Sequence, residues 1–237
     1  MEAIVFLQYF LLFRYIDHSV IEFIRSNQQI WDRIGTKLDL SIGNALPIWD
    51  VFVSQIWPAF ATNIRHLRFA DAEHLYNLRR RISPTILTDL NHLKIIDSDA
   101  LFPDGIAADD GPNPISAGQA LAKWLHMPRK DGQPKELRCP NSAERNPEWV
   151  NHFKELFVHA GTSVSYTVHF YLHVETSPIV PFELENERTN EKMTLEKVSH
   201  YGGGEWLLKR CQIIEGKKDG NSDANLNNVR FELCDNM

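Results

Sequence analysis

The chain has 237 residues, a formal net charge of −6 and a pI near 5.9. That length supports a core without disulfide or metal staples. The acidic balance excludes the basic footprint by which a general nucleic-acid binder is recognised. The three cysteines, Cys139, Cys211 and Cys234, form no C-x-x-C pair, which argues against a disulfide framework or a zinc site and for a reducing compartment, cytoplasmic or nuclear.

The chain opens on an apolar run, Ala3 to Phe13, too short to cross a bilayer as a helix. Secretion would require this run to be a signal peptide. Glu2 stands where a signal has a basic residue, and Arg14-Tyr15-Ile16-Asp17 stands where it has a small-residue cleavage site. From Asp17 the pattern alternates. Asp17 caps a predicted helix through Ile34, ended by Gly35, and Lys37 to Ile42 reads as a strand. Trp49, Phe52, Val53, Ile56 and Phe60 mark a helical face, with Pro58 expected to kink or end the helix near Trp57. Ile64 to Phe69 is the next strand, Asp71 caps the next helix, and Ser83-Pro84 opens a short one. Leu93 to Asp97 is a strand, and residues 98–115 read as a loop rich in Asp, Pro and Gly. Ser116 caps a helix bearing Ala120, Leu121, Trp124 and Leu125, followed by the strand Lys135 to Cys139 and a helix after Asn146-Pro147. After Gly161 the period becomes two. Val164 to Val174, Pro181 to Asn186, Met193 to Val198 and Trp206 to Ile213 read as strands, and 215–237 as a disordered polar tail.

The first five strands start near 37, 64, 93, 135 and 164, steps of about 27, 29, 42 and 29 residues. One strand and one helical stretch per step is the spacing of a leucine-rich-repeat-like array, with a doubly wound α/β sheet as the alternative. The expected fold is therefore α/β, an irregular leucine-rich-repeat-like alternation of strands and helices closed by a C-terminal antiparallel β hairpin region. Its expected divisions are an apolar segment at 1–14, a binding domain at 15–214 and the tail at 215–237.

No catalytic, cofactor or metal site is assigned from the sequence. His152, Glu155 and His159 recur on one helix, but their order matches no common metal motif, and a solvated helix face is the simpler reading. His169 and His173 share a strand face too far apart for one ion. Gly202-Gly203-Gly204 lacks the Lys-Ser/Thr of a phosphate loop, Cys139 has no nearby His, and the Asp104 to Asp110 loop lacks the calcium-loop order. Arg79-Arg80-Arg81, near Arg65 and Arg68, fits a helix C-terminus. The chain is not expected to be an enzyme, to bind nucleic acid or a membrane, or to need a cofactor.

Four segments carry a family resemblance: Ser83 to Asp89 (SPTILTD), Ser116 to Leu125 (SAGQALAKWL), Pro128 to Lys135 (PRKDGQPK) and Ile179 to Asn186 (IVPFELEN), completed by Trp206 to Cys211 (WLLKRC). Together with Tyr15 to Phe23 they resemble an expanded family of F-box-type proteins of plant-parasitic nematodes, over about residues 15–214. Lys209 and Gln212 depart from that family's Val and Pro. The resemblance implies the substrate-recognition part of a ubiquitin-ligase receptor, with an unknown protein target. No F-box is read before Tyr15, so Skp1 is an expected partner only where an F-box-like element stands at the N-terminus. The alternatives are a secreted interaction protein and an enzyme with an unrecognised site.

Overall fold

Apolar residues at alternate positions decide which side of each strand is covered. Leu38 and Leu40, Leu67 and Phe69, Ile96, Leu137 and Cys139, and Val168 and Phe170 all join one buried cluster. They lie there with helical side chains including Trp49, Phe52, Leu75, Leu78, Leu121, Trp124, Phe153 and Phe157. The intervening residues of the same strands stay outside that cluster. In the computed structural model, which describes residues 18–27, 29, 35–41, 46–99, 101–103, 116–140, 148–171, 179–198 and 204–213, these strands belong to one eight-stranded sheet. The strands are β1 (Thr36–Leu40), β2 (Ile64–Phe69), β3 (Ile95–Ser98), β4 (Lys135–Cys139), β5 (Tyr166–Tyr171), β6 (Phe182–Asn186), β7 (Glu191–Lys197) and β8 (Glu205–Gln212).

The sheet order is β1-β2-β3-β4-β5-β8-β7-β6. The first five strands are parallel and follow chain order. The last three join them antiparallel. A doubly wound sheet reverses its strand order at a switch point, and no reversal occurs along the parallel strands. The helices are α1 (His18–Ser26), α2 (Leu46–Val51), α3 (Trp57–Phe60), α4 (Ala72–Arg81), α5 (Ile86–Asp89), α6 (Ala117–His126) and α7 (Glu148–Val158). Among the described residues, no helix is long and apolar enough to cross a membrane.

The elements fall where the periodicity places them, with shifted ends. The third strand begins at Ile95 rather than Leu93, the fifth at Tyr166 rather than Val164, and the seventh at Glu191 rather than Met193. The helix expected to kink or end near Trp57 does not end there. The chain stays helical to Phe60 because the turn before Pro58 widens into a π-helical segment, Phe52–Ile56, in which the Trp57 N–H bonds the Phe52 carbonyl. Widening relieves the crowding between the proline ring and the preceding turn. The Asp17 cap, residues 30–34, the Asp104 to Asp110 loop, Asn146-Pro147, His173, Gly202-Gly203, the segment 1–14 and the tail 215–237 lie outside the described residues.

The helix starts are fixed by side chains. Asp71 accepts from the His74 N–H at 3.2 Å while His74 Nδ1 accepts from the Asp71 N–H at 3.3 Å. Ser116 and Gln119 make the same reciprocal pair at the start of α6. Each closes two otherwise unpaired N–H groups of a first turn. The opposite end of α6 is closed by the buried Lys135, whose Nζ donates to the Trp124 and Met127 carbonyls. Burial, with the Arg129 charge adding to it, pushes the Lys135 ammonium down to about 7.

The resemblance motifs prove to be joints of this kind. In the first, Asp89 accepts from Ser83 and Thr85, and Arg79 donates to the Pro84 carbonyl. In the third, Arg129 grips Asp131 through two bonds and donates to the Leu93 carbonyl at 2.7 Å, fastening the α6–β4 turn to the residues before β3. In the last two, Asn186 donates to the Phe157 and Ala160 carbonyls at the end of α7, and Arg210 meets Glu191 at 2.6 Å.

Two outcomes follow for stability. Trp124 is 2% exposed within the core, so Trp124→Ala should cost about 3–5 kcal/mol in chemical denaturation. Lys135 holds its proton less tightly in the folded chain than in the unfolded one, whose ammonium titrates near ~10.4. Between these values the unfolded chain binds more protons, so stability should rise with pH from about 7 towards 10, by at most about 1.4 kcal/mol per pH unit. Melting curves of the wild type and Lys135→Met across that range should diverge in that sense, and parallel curves would show that Lys135 stays charged throughout.

Candidate functional site on the uncovered sheet face

The residues that alternate with the core positions form two rows across the sheet, on the face that no helix covers among the described residues. In register, the first row is Lys37, His66, Ile95, Glu136 and Thr167. The second is Asp39, Arg68, Asp97, Arg138 and His169. Adjacent strands sit about 4.8 Å apart, so charges of alternating sign in the second row lie within reach of one another. The rows run on into the antiparallel strands, the first through Lys209, Thr194 and Glu183, the second through Leu207 and Glu196.

The pairs are made both along and across the rows. Arg68 bridges Asp39 at 3.5 Å and Asp99 at 3.3 Å. Asp97 accepts from His66 at 2.8 Å and lies 3.8 Å from Lys37 and 3.9 Å from Arg138. Arg138 also donates to Glu136 at 2.6 Å, and Glu136 lies 3.9 Å from His169. The two signs occupy different depths. The Asp39, Asp97 and Glu136 side chains are 6%, 16% and 10% exposed, against 40% and 45% for Arg68 and Arg138. Carboxylates form the floor, and guanidinium groups and the partly exposed His169 lie over it. Tyr171, 41% exposed, extends the same face at the end of β5.

The titration behaviour follows from this layering. Burial would raise the Asp97 carboxyl. The His66 hydrogen bond and the positive charges of His66, Arg138 and Lys37 outweigh it and hold the carboxyl below its ordinary value. Burial would lower Arg68 and Arg138, but their carboxylate partners raise both. Burial is also the main reason His169 is lowered, with Glu136 opposing it. Each of the two arginines is thus held as a cation in a defined place. His66 and Asp97 make the orienting half of an acid–base pair, and the residues flanking His66 in its row are Lys37, whose ammonium lies near Asp97, and Ile95.

The described residues weighed from sequence lie elsewhere, apart from His169 and Arg68. His152, Glu155 and His159 line an open depression of about 450 Å³ on α7, shared with His126, Thr162 and Arg210. Among the described residues, no three His, Cys, Asp or Glu side chains are placed to hold a metal ion. Burial, aided by the nearby Arg210, Lys135 and His152, pushes the His126 imidazole down to about 3 and keeps it neutral. Cys139 is buried in the core, and Cys211 is partly buried. The basic cluster is divided: Arg68 faces the uncovered side, Arg79 is buried, and Arg81 pairs with Asp50 at 2.6 Å. The charge ladder itself was missed from sequence. Its signal is the polar residue at every second place in KLDL, HLRF, KELRC and TVHFY.

The depressed Asp97 carboxyl contributes stability above the ordinary carboxylate range, near pH ~4, and that contribution is lost as pH falls through the folded value. Wild-type stability should therefore fall more steeply than that of Asp97→Asn on acidification below about pH 4, as read from denaturant midpoints. Equal slopes would show that Asp97 is not held by its basic neighbours. No family model, curated protein or solved structure matches the chain.

Proposed function

We propose that the chain is a protein-binding module of the F-box substrate-receptor type, built as a leucine-rich-repeat-like array, and that the uncovered sheet face receives the target. The carrying observation is the ordered row Asp39, Arg68, Asp97, Arg138 and His169, displayed on five parallel strands in chain order. Sequential parallel strands with their core on one side are what a repeat array requires, since each unit buries its apolar face against its neighbours. The other side then becomes a broad platform on rigid elements, and arginines held by carboxylates beneath them have little conformational freedom left to lose on binding. The five-stranded platform also agrees with the resemblance motifs being joints of the fold, which leaves target choice to the face between them.

The test is affinity capture from the source tissue with the wild type and with the double variant Arg68→Glu/Arg138→Glu, each first shown to be folded by circular dichroism. Proteins that engage the face should be depleted about tenfold or more on the variant, because rim and platform charges govern encounter and register. A partner set indifferent to the double variant would sink the assignment of this face.

A further inference from the structure

The sheet has two end strands, and they differ. At β1 the side chains of Thr36, Leu38, Asp39 and Leu40 are all buried, at 5% exposure or less. At β6 burial alternates: Glu183 and Glu185 are exposed, while Phe182 and Leu184 are half-buried and packed against the core. Only β7 pairs with β6 among the described residues. In an antiparallel pair every second residue turns its N–H and C=O away from the partner strand, so β6 carries a row of backbone donors and acceptors on its outer side.

The chemistry of that edge selects its occupant. Glu183, Glu185 and Glu187 are all exposed. Lys192, the cation that meets Glu183 at 2.6 Å, lies on the inner neighbour β7 with its side chain 17% exposed. The outer margin is therefore acidic on one side of the strand; on the other it is apolar, with Lys154 Nζ from α7 4.2 Å from the centre of the Phe182 ring. A second copy of β6 laid antiparallel about Leu184 would set Glu183 against Glu185 twice, and like charges directly opposite are destabilising. A basic strand would set cations there instead, with its alternate residues beside Phe182 and Leu184. Pro181, with no N–H to give, stands at the start of the strand and limits the addition to the residues after it.

We infer that β6 is a strand-addition site for an extended basic segment of a partner protein, one that alternates Lys or Arg with apolar residues. Backbone bonds supply the general affinity and the alternating side chains the selection. The site is separate from the uncovered platform and stands whether or not the platform binds the target.

The probe is a fluorescent Lys-Val-Lys-Val-Lys-Val peptide, titrated by anisotropy against the full chain. Saturable binding is expected, weakened by salt. The double variant Glu183→Lys/Glu185→Lys should lose about tenfold in affinity. Two further peptides test the backbone with wild-type protein alone, one N-methylated at every Lys and the other at every Val. One of them should lose binding and the other keep it, because only one alternating set of N–H groups faces β6. Equal binding of both would mean charge attraction without strand addition and would overturn the inference, as would no binding of the parent peptide. Self-association of the free chain that is abolished by Leu184→Pro would assign the edge to a second copy and would overturn it too.

Discussion

A sheet whose core lies on one side has to be insoluble on that side and soluble on the other, strand by strand. That constraint shapes most of this molecule. It requires apolar residues at every second place, as in Leu38 and Leu40 or Leu67 and Phe69. It equally requires something hydrated between them. Five parallel strands side by side would crowd like charges if each carried the same sign. The chain avoids this by alternating Asp39, Arg68, Asp97 and Arg138, so that each in-register neighbour is attractive. Ion pairs whose guanidinium half stays in contact with water add little net stability. Their value here lies in order rather than stability: each arginine answers to two carboxylates, and its position is thereby defined.

The covered side explains why the resemblance motifs look as they do. Crossovers from strand to helix and back leave helix ends inside the molecule, where unpaired carbonyls and N–H groups cost about 1–3 kcal/mol each. The chain meets these ends with long side chains arriving from the next unit. Lys135 comes from β4 to the end of α6 and Asn186 from β6 to the end of α7, while Arg129 ties the α6–β4 turn to the residues before β3. A residue such as Lys135 thus occupies a strand position with an inward side chain and yet carries an amine, which is unusual unless a buried acceptor set awaits it.

This also marks how much could be read from the sequence. Strands and helices were legible because periods of two and 3.6 are local. Ser116 and Asp71 were legible as caps because their partners sit three residues away. The charge ladder was not, because Asp39, Arg68, Asp97 and Arg138 are about thirty or more residues apart and their alternation exists only once the register is known. Arg65, Arg68 and Arg79 to Arg81 read as one basic cluster by proximity in sequence, whereas a strand and a helix carry them to different surroundings. Pro58 misled for a related reason. The rule that proline breaks a helix assumes regular geometry upstream, and the π-helical turn at Phe52–Ile56 removes that assumption.

The sheet changes from parallel to antiparallel at β8, and the buried pair of Glu191 and Arg210 sits at that change. Glu191 is fully buried and Arg210 nearly so. The carboxylate accepts from the Val164 N–H at 2.6 Å, from Ser163 and from Arg210, and Arg210 also donates to the Thr162 carbonyl at 2.9 Å. Two ions withdrawn from water are favourable only with such full satisfaction, and removing either partner typically costs about 3–5 kcal/mol. An apolar pair of the same size would seal the site as well but would not specify which strands meet the 162–164 segment. With the pair in place, β7 and β8 are tied to the approach to β5, whose second edge is taken by the antiparallel β8. The sheet turns antiparallel at β8, and the last strand it can reach is β6. The ion pair thus fastens the antiparallel strands, and with them the β6 edge, to the parallel part of the sheet.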